Sequence, residues 1–285
     1  LTIDRYGDHL MVQLYTGAWK PHLPLLVAAL EQLFAPAGIY AKLRPQETRA
    51  LAAGDSKRYS WLLAGAPRRG RQPVREHGLE FLVDLEEGLN TGLFLDQRGN
   101  RQDLRQRVAG RRVLNLFAYT GSFSVVAAAA GASRVVSVDV SSGYLAWAKE
   151  NFACNRLPVR SADFITGDCF AVLAELGQRR EMFDLILMDP PSFSTTGKSR
   201  FTTRQGTAEL VAAALPLLSA GGVLITSSNH QKTDLADYLK ELRRGALQAG
   251  GTLRVIRTAG QSEDFPYPVT FPEGRYLKYL VSLKG

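Results

Sequence analysis
The stretch RVLNLFAYTGSFSVVAAAAGASRVVSVDV, from Arg112 to Val140, constrains the fold of this chain more than any other. Arg112 to Phe117 is a mostly apolar run of strand length, and Ala118 to Ser122 is a turn with one glycine, Gly121. Phe123 to Ala130 is apolar and alanine-rich, closed by Gly131 where a helix would end. Val135 to Val138 is a second apolar strand that ends on an acid, Asp139. Strand, glycine turn, helix, strand and acid make one βαβ unit of a parallel sheet, so the expected class is α/β. Ligands of such sheets bind beyond the carboxyl ends of the strands, where the turn and Asp139 both lie. An acid at that tip suits a ribose, because its two oxygens can accept from both hydroxyls.

The turn also bears on the cofactor. A dinucleotide site uses G-x-G-x-x-G, so that glycine backbone can approach a pyrophosphate at a helix N-terminus. Thr120-Gly121-Ser122 has one glycine where three are needed. A nucleoside cofactor without phosphates, such as S-adenosylmethionine, needs only one close approach and is the expectation; a nicotinamide fold or a bare βαβ unit is the alternative.

Among 285 residues, 35 Lys and Arg stand against 27 acids, a net charge of +8. That surplus favours a polyanionic partner such as RNA or DNA. Cys154 and Cys169 are the only cysteines and fit neither a disulfide framework nor a zinc site. No metal is expected. No signal-peptide pattern and no bilayer-spanning apolar run is evident, so the expected home is a reducing cytoplasm, with no membrane partner. The sequence opens on Leu1 rather than methionine, which leaves open residues upstream.

Residues 1–89 read as a small α+β domain that is a candidate for RNA contact, and 90–285 as a second, larger α/β domain that carries the nucleoside site. In the first, His9 to Tyr15, Ile39 to Leu43 and Gly78 to Leu85 read as strands, with Tyr59 to Leu63 as a further candidate, and Leu23 to Phe34 as a helix. Lys57, Arg58, Arg68, Arg69, Arg71 and Arg75 form a basic segment, read either as a solvated loop or as a phosphate-contacting edge. Beyond Arg112, strands and helices alternate. Ser141 or Ser142 caps a helix to about Cys154, Phe183 to Met188 is a buried strand, Ala208 to Leu218 is helical and Gly222 to Thr226 is the next strand. Leu253 to Arg257 and Tyr276 to Leu283 pair antiparallel at the end, giving seven strands with helices on both faces and a reversed last strand.

Acids recur at the ends of consecutive strands: Asp139, Asp168 and Asp189. Singly each could be a turn residue or helix cap; jointly they outline a nucleoside pocket along one rim. Asp139 would take the ribose, Asp168 would accept from the adenine amino group, and Phe117 to Gly121, with Tyr119 and Thr120, would line the methionine end. Asn115, Ser122, Val140, Ser141 and Cys169 complete the expected cofactor contacts. Asp189-Pro190-Pro191-Ser192-Phe193 is the most specific signal. Its prolines fix the backbone so that carbonyls and the Asp189 carboxylate project into the pocket mouth, to hold the edge of a planar base on which Phe193 stacks. The bland alternative is a strand terminator with a core Phe.

NTGLFLDQR (Asn90 to Arg98), LNLFAYTGSF (Leu114 to Phe123), VDVS at Asp139, YLAWAKEN (Tyr144 to Asn151), DPPSFS (Asp189 to Ser194) and FPEGRYLKYL (Phe271 to Leu280) resemble the bacterial 23S ribosomal RNA methyltransferases of the RlmI and RlmK type. IDRYGDHLMVQLY (Ile3 to Tyr15) resembles the small domain that precedes the catalytic one there. The resemblance implies a Rossmann-like class I sheet and S-adenosylmethionine. It adds Phe94, Asp96 and Arg98 as cofactor contacts, the last two near the methionine moiety; the residues alone gave only a charged turn. Ribosomal RNA (23S), or a ribosomal precursor particle, becomes the expected partner.

Two departures stand out. RlmI-type enzymes carry an N-terminal PUA domain, and none is found ahead of Leu1. They also use a cysteine nucleophile at the end of the fifth strand, where this chain reads Thr226-Ser227-Ser228-Asn229-His230, with Asn229 in the cysteine's place. Carbon 5 of cytosine is a poor nucleophile, and its methylation needs a thiolate to add to the ring. A guanine nitrogen needs only alignment with the sulfonium methyl. The expected product is therefore N7- or N2-methylguanine, with Asn229 on the base edge and His230 more often structural than a base. Lys198, Arg200 and Arg204 read as a basic loop over the pocket where RNA phosphates pass. The rival readings are 5-methylcytosine formation, a small-molecule or protein acceptor, and a non-catalytic RNA-binding module.

Overall fold
A computed structural model describes residues 1–44, 60–88, 90–191, 193–196 and 199–285, with 193–196 and 199–205 described by their backbone. Lys57, Arg58 and Lys198, singled out above, lie outside the described residues. The chain divides into two units, Leu1–Leu93 and Phe94–Gly285.

In the first unit β1 (Thr2–Tyr6) and β2 (His9–Leu14) form a hairpin, and α1 (Leu23–Phe34) crosses to β3 (Gly38–Leu43), which lies parallel to β2. β4 (Ser60–Gly65) adds antiparallel to β3. Pro24 starts α1, where its fixed φ is already helical, and Ala35 ends it in the left-handed region. Leu23, Leu26, Val27 and Leu30 of α1 pack on Leu10, Val12 and Ile39 of the sheet. A second hairpin joins β5 (Gln72–Glu76) and β6 (Leu79–Val83) through His77-Gly78, both at positive φ, the conformation a two-residue hairpin turn requires. Part of the basic segment is therefore strand rather than loop. Arg68 does not face solvent for phosphate: its guanidinium donates to Tyr6 O (3.0 Å), Pro73 O (2.6 Å) and Asp8 (3.3 Å). Its carbonyl partners bind it into the unit's own framework.

In the second unit α2 (Arg98–Arg105) precedes β7 (Arg112–Leu116), α3 (Ser122–Ala129), β8 (Arg134–Asp139), α4 (Ser142–Cys154), β9 (Phe164–Thr166), α5 (Cys169–Gln178) and β10 (Phe183–Met188). Then come β11 (Phe193–Thr196), β12 (Ser199–Thr202), α6 (Thr203–Ala214), β13 (Leu218–Ser228), α7 (Leu235–Gln248), β14 (Leu253–Ala259) and β15 (Lys278–Lys284). The sheet order is β14-β15-β13-β10-β7-β8-β9, parallel except for β15, which runs antiparallel to both neighbours. β10 reads as a continuous apolar run because it is covered on both faces. Leu173 and Leu176 of α5, Leu210 and Val211 of α6 and Tyr238 and Leu242 of α7 cover one face. Leu104 of α2, Val108 just beyond it, and Phe123 and Ala127 of α3 cover the other. The α/β class and the seven strands with a reversed last strand are observed as the sequence implied. The basic segment after Asp189 differs from the expected loop: it is a β11–β12 hairpin running straight into α6, with Arg200 on β12 and Arg204 in the helix's first turn.

The helices α6 and α7 meet at Gly245, where an added Cβ would lie 2.3 Å from Ala208 O and 2.7 Å from Val211 Cβ. Gly245→Ala gains about 1 kcal/mol of helix propensity and meets an overpacking penalty of about 1–3 kcal/mol against backbone that cannot swing away. The expected result is a melting temperature lowered by a few degrees. A rise on thermal unfolding would show that the helices separate without cost.

Candidate active site
The register of the sheet brings the strand ends into one row. Leu116 of β7 lies opposite Val138 of β8 and Met188 of β10, and Met188 lies opposite Thr226 of β13. Phe117, Asp139, Asp189 and Ser227 are therefore neighbours along the carboxyl rim. The chain runs outward from β7 through β8 to β9 and then crosses to β10 on the other side of β7, so the switch point of the sheet, where ligands of such folds sit, falls between Phe117 and Asp189.

The turn after β7 is built under strain. Phe117 (φ 59°) and Tyr119 (φ 52°) lie in the left-handed region, as does Gly121 (φ 75°). Only glycine fits at 121, because a Cβ there would be 2.8 Å from Ala148 Cβ of α4. Asp139 fastens the turn: Oδ2 accepts from Tyr119 N and Oδ1 from Ser141 N, both at 2.9 Å. Thr120 is buried, and its carbonyl accepts from Asn151 Nδ2 at 2.8 Å. Non-glycine residues in such conformations cluster at ligand clamps. Beside the turn an aromatic row runs Phe94–Tyr119–Tyr144, with centroids 5.3 and 4.5 Å apart. Burial and then the Asp139 charge push the Tyr144 hydroxyl up from its ordinary range. The sequence reading named Tyr144 at the start of the YLAWAKEN stretch, with no role at the site.

The remaining cofactor candidates fall into three groups. Ser141 caps α4, its Oγ accepting from Tyr144 N at 3.2 Å, and Val140 beside it is exposed. Asp168 caps α5, with Oδ1 accepting from Phe170 N (3.0 Å) and Ala171 N (3.2 Å), so the helix-cap role is realised. Cys169 is buried behind Phe117, and burial pushes its thiol up to about 12. Asn115 differs from expectation: its amide donates to Ser124 Oγ at 2.9 Å, and Ser137 Oγ donates to the same oxygen at 2.8 Å. Asn115 thus joins strand to helix inside the fold instead of lining the rim.

Asp189 also differs. Its carboxylate does not stand alone at a pocket mouth; Gln97 Nε2 donates to it at 3.1 Å and to Ser227 Oγ at 3.0 Å, and Ser227 bonds it as well. Gln97 Oε1 accepts from Asn100 Nδ2 at 2.6 Å. Gln97 is the site residue the sequence reading missed, although it stands between Asp96 and Arg98, which were named. Asp96 accepts from Tyr276 OH at 2.6 Å, and burial raises its carboxyl. Arg98 donates to Asp264 at 2.6 Å. Pro190 is buried and Pro191 exposed. Phe193 starts β11. Asn229 is exposed directly after the buried Ser228, and His230 is bonded through Nδ1 to Thr233 Oγ1 at 2.9 Å. Among the described residues no cluster of three metal-ligating side chains occurs, and no helix is long and apolar enough to cross a membrane.

Burial pushes the Asp189 carboxyl up to about 6, with the Asp96 charge adding to it and the Ser227 and Gln97 hydrogen bonds opposing. An unfolded aspartate titrates near 3.9, so the folded chain binds the proton more tightly. That contribution to stability is present below the unfolded value and is lost as pH rises through about 6. Asp189→Asn cannot ionise. Its melting temperature relative to the parent chain should rise between pH 4.5 and pH 7.5; a difference that stays constant would show that the carboxylate is held without penalty.

The family model for S-adenosylmethionine-dependent methyltransferases matches residues 1–267. Ribosomal RNA large subunit methyltransferase I of Shigella boydii serotype 18 is 36% identical over 284 residues, covering 98% of this chain and 69% of that protein. The protein of the same name from Citrobacter koseri gives the same figures. The crystal structure of SMU.776 in complex with SAH superposes with a TM-score of 0.89 at 29% identity, over 99% of this chain and 71% of that one. A second structure, from Streptococcus mutans, gives 0.86 at 29%, over 99% and 70%. With a match over most of its length, the chain belongs to the S-adenosylmethionine-dependent methyltransferases, and S-adenosylmethionine is its cofactor.

Proposed function
We propose that the protein methylates a guanine nitrogen, N7 or N2, of large-subunit (23S) ribosomal RNA, as naked RNA or in a precursor particle of the cytoplasm. The relatives' name supports the RNA, and the net charge of +8 agrees with it. The observation that carries the choice of atom is Asn229, exposed at the end of β13 where carbon-5 chemistry needs a thiolate. Cys154 ends α4 and Cys169 is a buried thiol pushed up to about 12, so neither supplies one there. The resemblance of the sequence motifs to the RlmI type leaves 5-methylcytosine as the second reading.

S-adenosylmethionine supplies an electrophilic methyl group on a sulfonium. The residues fit such a nucleoside. Each Asp139 oxygen accepts one backbone N–H and has a second lone pair for a ribose hydroxyl. Phe117, Tyr119, Thr120, Gly121 and Ser122, with Phe94 and Asp96, bound the methionine end; Val140 and Ser141 follow the ribose, and Asp168 and Cys169 close the adenine side. Pro190, Pro191, Phe193 and Asn229 receive the base, with Asp189 holding the strand end that positions them. Lys198, Arg200 and Arg204 are assigned to phosphate on their charge and place in the sequence, and the first unit is assigned a further RNA contact. Guanine N7 has a free lone pair, so alignment and water exclusion lower the barrier without a general base.

Incubation with methyl-labelled S-adenosylmethionine and unmodified 23S RNA, followed by nucleoside analysis, should give labelled methylguanosine. Labelled 5-methylcytidine would overturn the reading of Asn229, and an unlabelled RNA would point to another acceptor. Asp139→Ala should weaken cofactor binding about tenfold or more by calorimetry, given the strength of hydrogen bonds to a charged acceptor. Retained affinity would remove the ribose from Asp139.

A further inference from the structure
We propose that the connection between β14 and β15 is a stacking platform for unpaired RNA bases next to the methylated nucleotide. This rests on the reading of the acceptor as RNA. The connection rises from the carboxyl rim: Ala259 pairs with Tyr279, and Lys278 lies opposite Ser228, one residue before Asn229. Its base is fastened to the turn that holds Asp189. Ser262 N and Oγ both donate to Asp96 O (2.9 and 3.0 Å), Gly99 N donates to Ser262 Oγ (2.7 Å), and Asn100 Nδ2 donates to Gly260 O (3.1 Å). Arg98–Asp264 and Tyr276–Asp96 complete the anchorage.

Above that base the loop is closed on itself. Gln261 Nε2 donates to Gly274 O across the neck at 2.7 Å, Phe271 N to Pro268 O at 2.9 Å and Gly274 N to Phe271 O at 3.1 Å. Pro266, Pro268 and Pro272 restrict its backbone further. An ordered loop of this kind is a built surface, yet Tyr267 is 40% exposed, Phe271 57% and Val269 95%. The two rings share one neighbour: a Cβ on Gly274 would lie 2.6 Å from Tyr267 Cβ and 3.6 Å from the Phe271 ring. Leaving two large aromatics in water gains nothing for folding.

Charge separates the occupants. The loop carries Glu263, Asp264 and Glu273 against Arg275, so it offers no cationic groove for phosphate. Ring faces recognise bases without charge, and single-stranded RNA segments splay their bases onto aromatic side chains. The position beside Asn229, where the target base must enter, selects RNA over a protein partner.

The test uses the full chain, 23S transcript and S-adenosylmethionine, with Tyr267→Ala/Phe271→Ala, Phe271→Leu and Phe271→Trp. Expected are unchanged cofactor affinity by calorimetry and, for the double variant, a KM for RNA raised about tenfold or more. Phe271→Leu should share the defect and Phe271→Trp should escape it. An RNA KM at the parental value, a Leu variant as good as the parent, or joint loss of cofactor affinity would overturn the platform. Variants normal on naked transcript but impaired on precursor particles would assign the loop to a protein and overturn it too. Should the parent chain neither bind nor methylate RNA, both readings fall; parental methylation with unaffected variants removes only this one.

Discussion
The backbone of Phe117 and Tyr119 sets the geometry on which the rim depends. A left-handed conformation costs about 1–2 kcal/mol for each non-glycine residue, and two occur within three positions. A hydrogen bond to a charged group returns about 1.5–3 kcal/mol, and the Asp139 carboxylate accepts from Tyr119 N at the point of strain. The carboxylate is thereby fixed by the turn it stabilises, with its second oxygen held by Ser141 N at the start of α4. One acid thus connects the ends of β7 and β8 to the helix that follows. Gly121 completes the arrangement, since any side chain there would push α4 away at Ala148.

Across the switch point the chemistry is different. Asp189 is enclosed with Gln97 and Ser227, and the chain of hydrogen bonds continues through Asn100 to Gly260 at the neck of the β14–β15 loop. A network of this kind rigidifies a strand end, at the expense of an acid raised toward 6. The side of the sheet toward β9 therefore has backbone-bonded acids at strand tips, suited to a nucleoside. The side toward β13 has a fixed polar scaffold that presents Pro191 and Asn229 outward.

What the sequence disclosed follows from what periodicity and strand-end chemistry encode. The βαβ unit at Arg112–Val140, the acids Asp139, Asp168 and Asp189, the cap at Ser141 and the antiparallel final pair were all legible, because each is a local pattern with one structural outcome. The partner of Asn115 was not legible because strand alternation gives the face of a side chain but not what it meets, here Ser124 of a helix nine residues on. Gln97 carries no charge and sits between two charged residues that drew attention; only the fold brings it to Asp189, 92 residues away in the chain. Arg68 read as surface charge because nothing local signals that Tyr6 and Pro73 carbonyls will converge on it. The pairing of β11 with β12 was missed because FSTT and SRFT are mostly polar and short, giving neither strand nor helix periodicity.

Under the proposed reading, acceptor chemistry at residue 229 can change without altering the cofactor side. Ser227 is fixed by Gln97 through its side chain and by Tyr238 OH through its carbonyl at 3.1 Å, and Ser228 by its pairing with Lys278 of β15. Lys278 Nζ holds His230 O at 2.6 Å from the other side. The backbone on either side of Asn229 is thus set by buried contacts, and its own side chain is exposed. A thiol in such a socket can add to a pyrimidine ring, whereas an amide can only donate and accept hydrogen bonds. Under the proposed reading the scaffold stays constant and this one side chain decides whether the base is attacked or merely aligned.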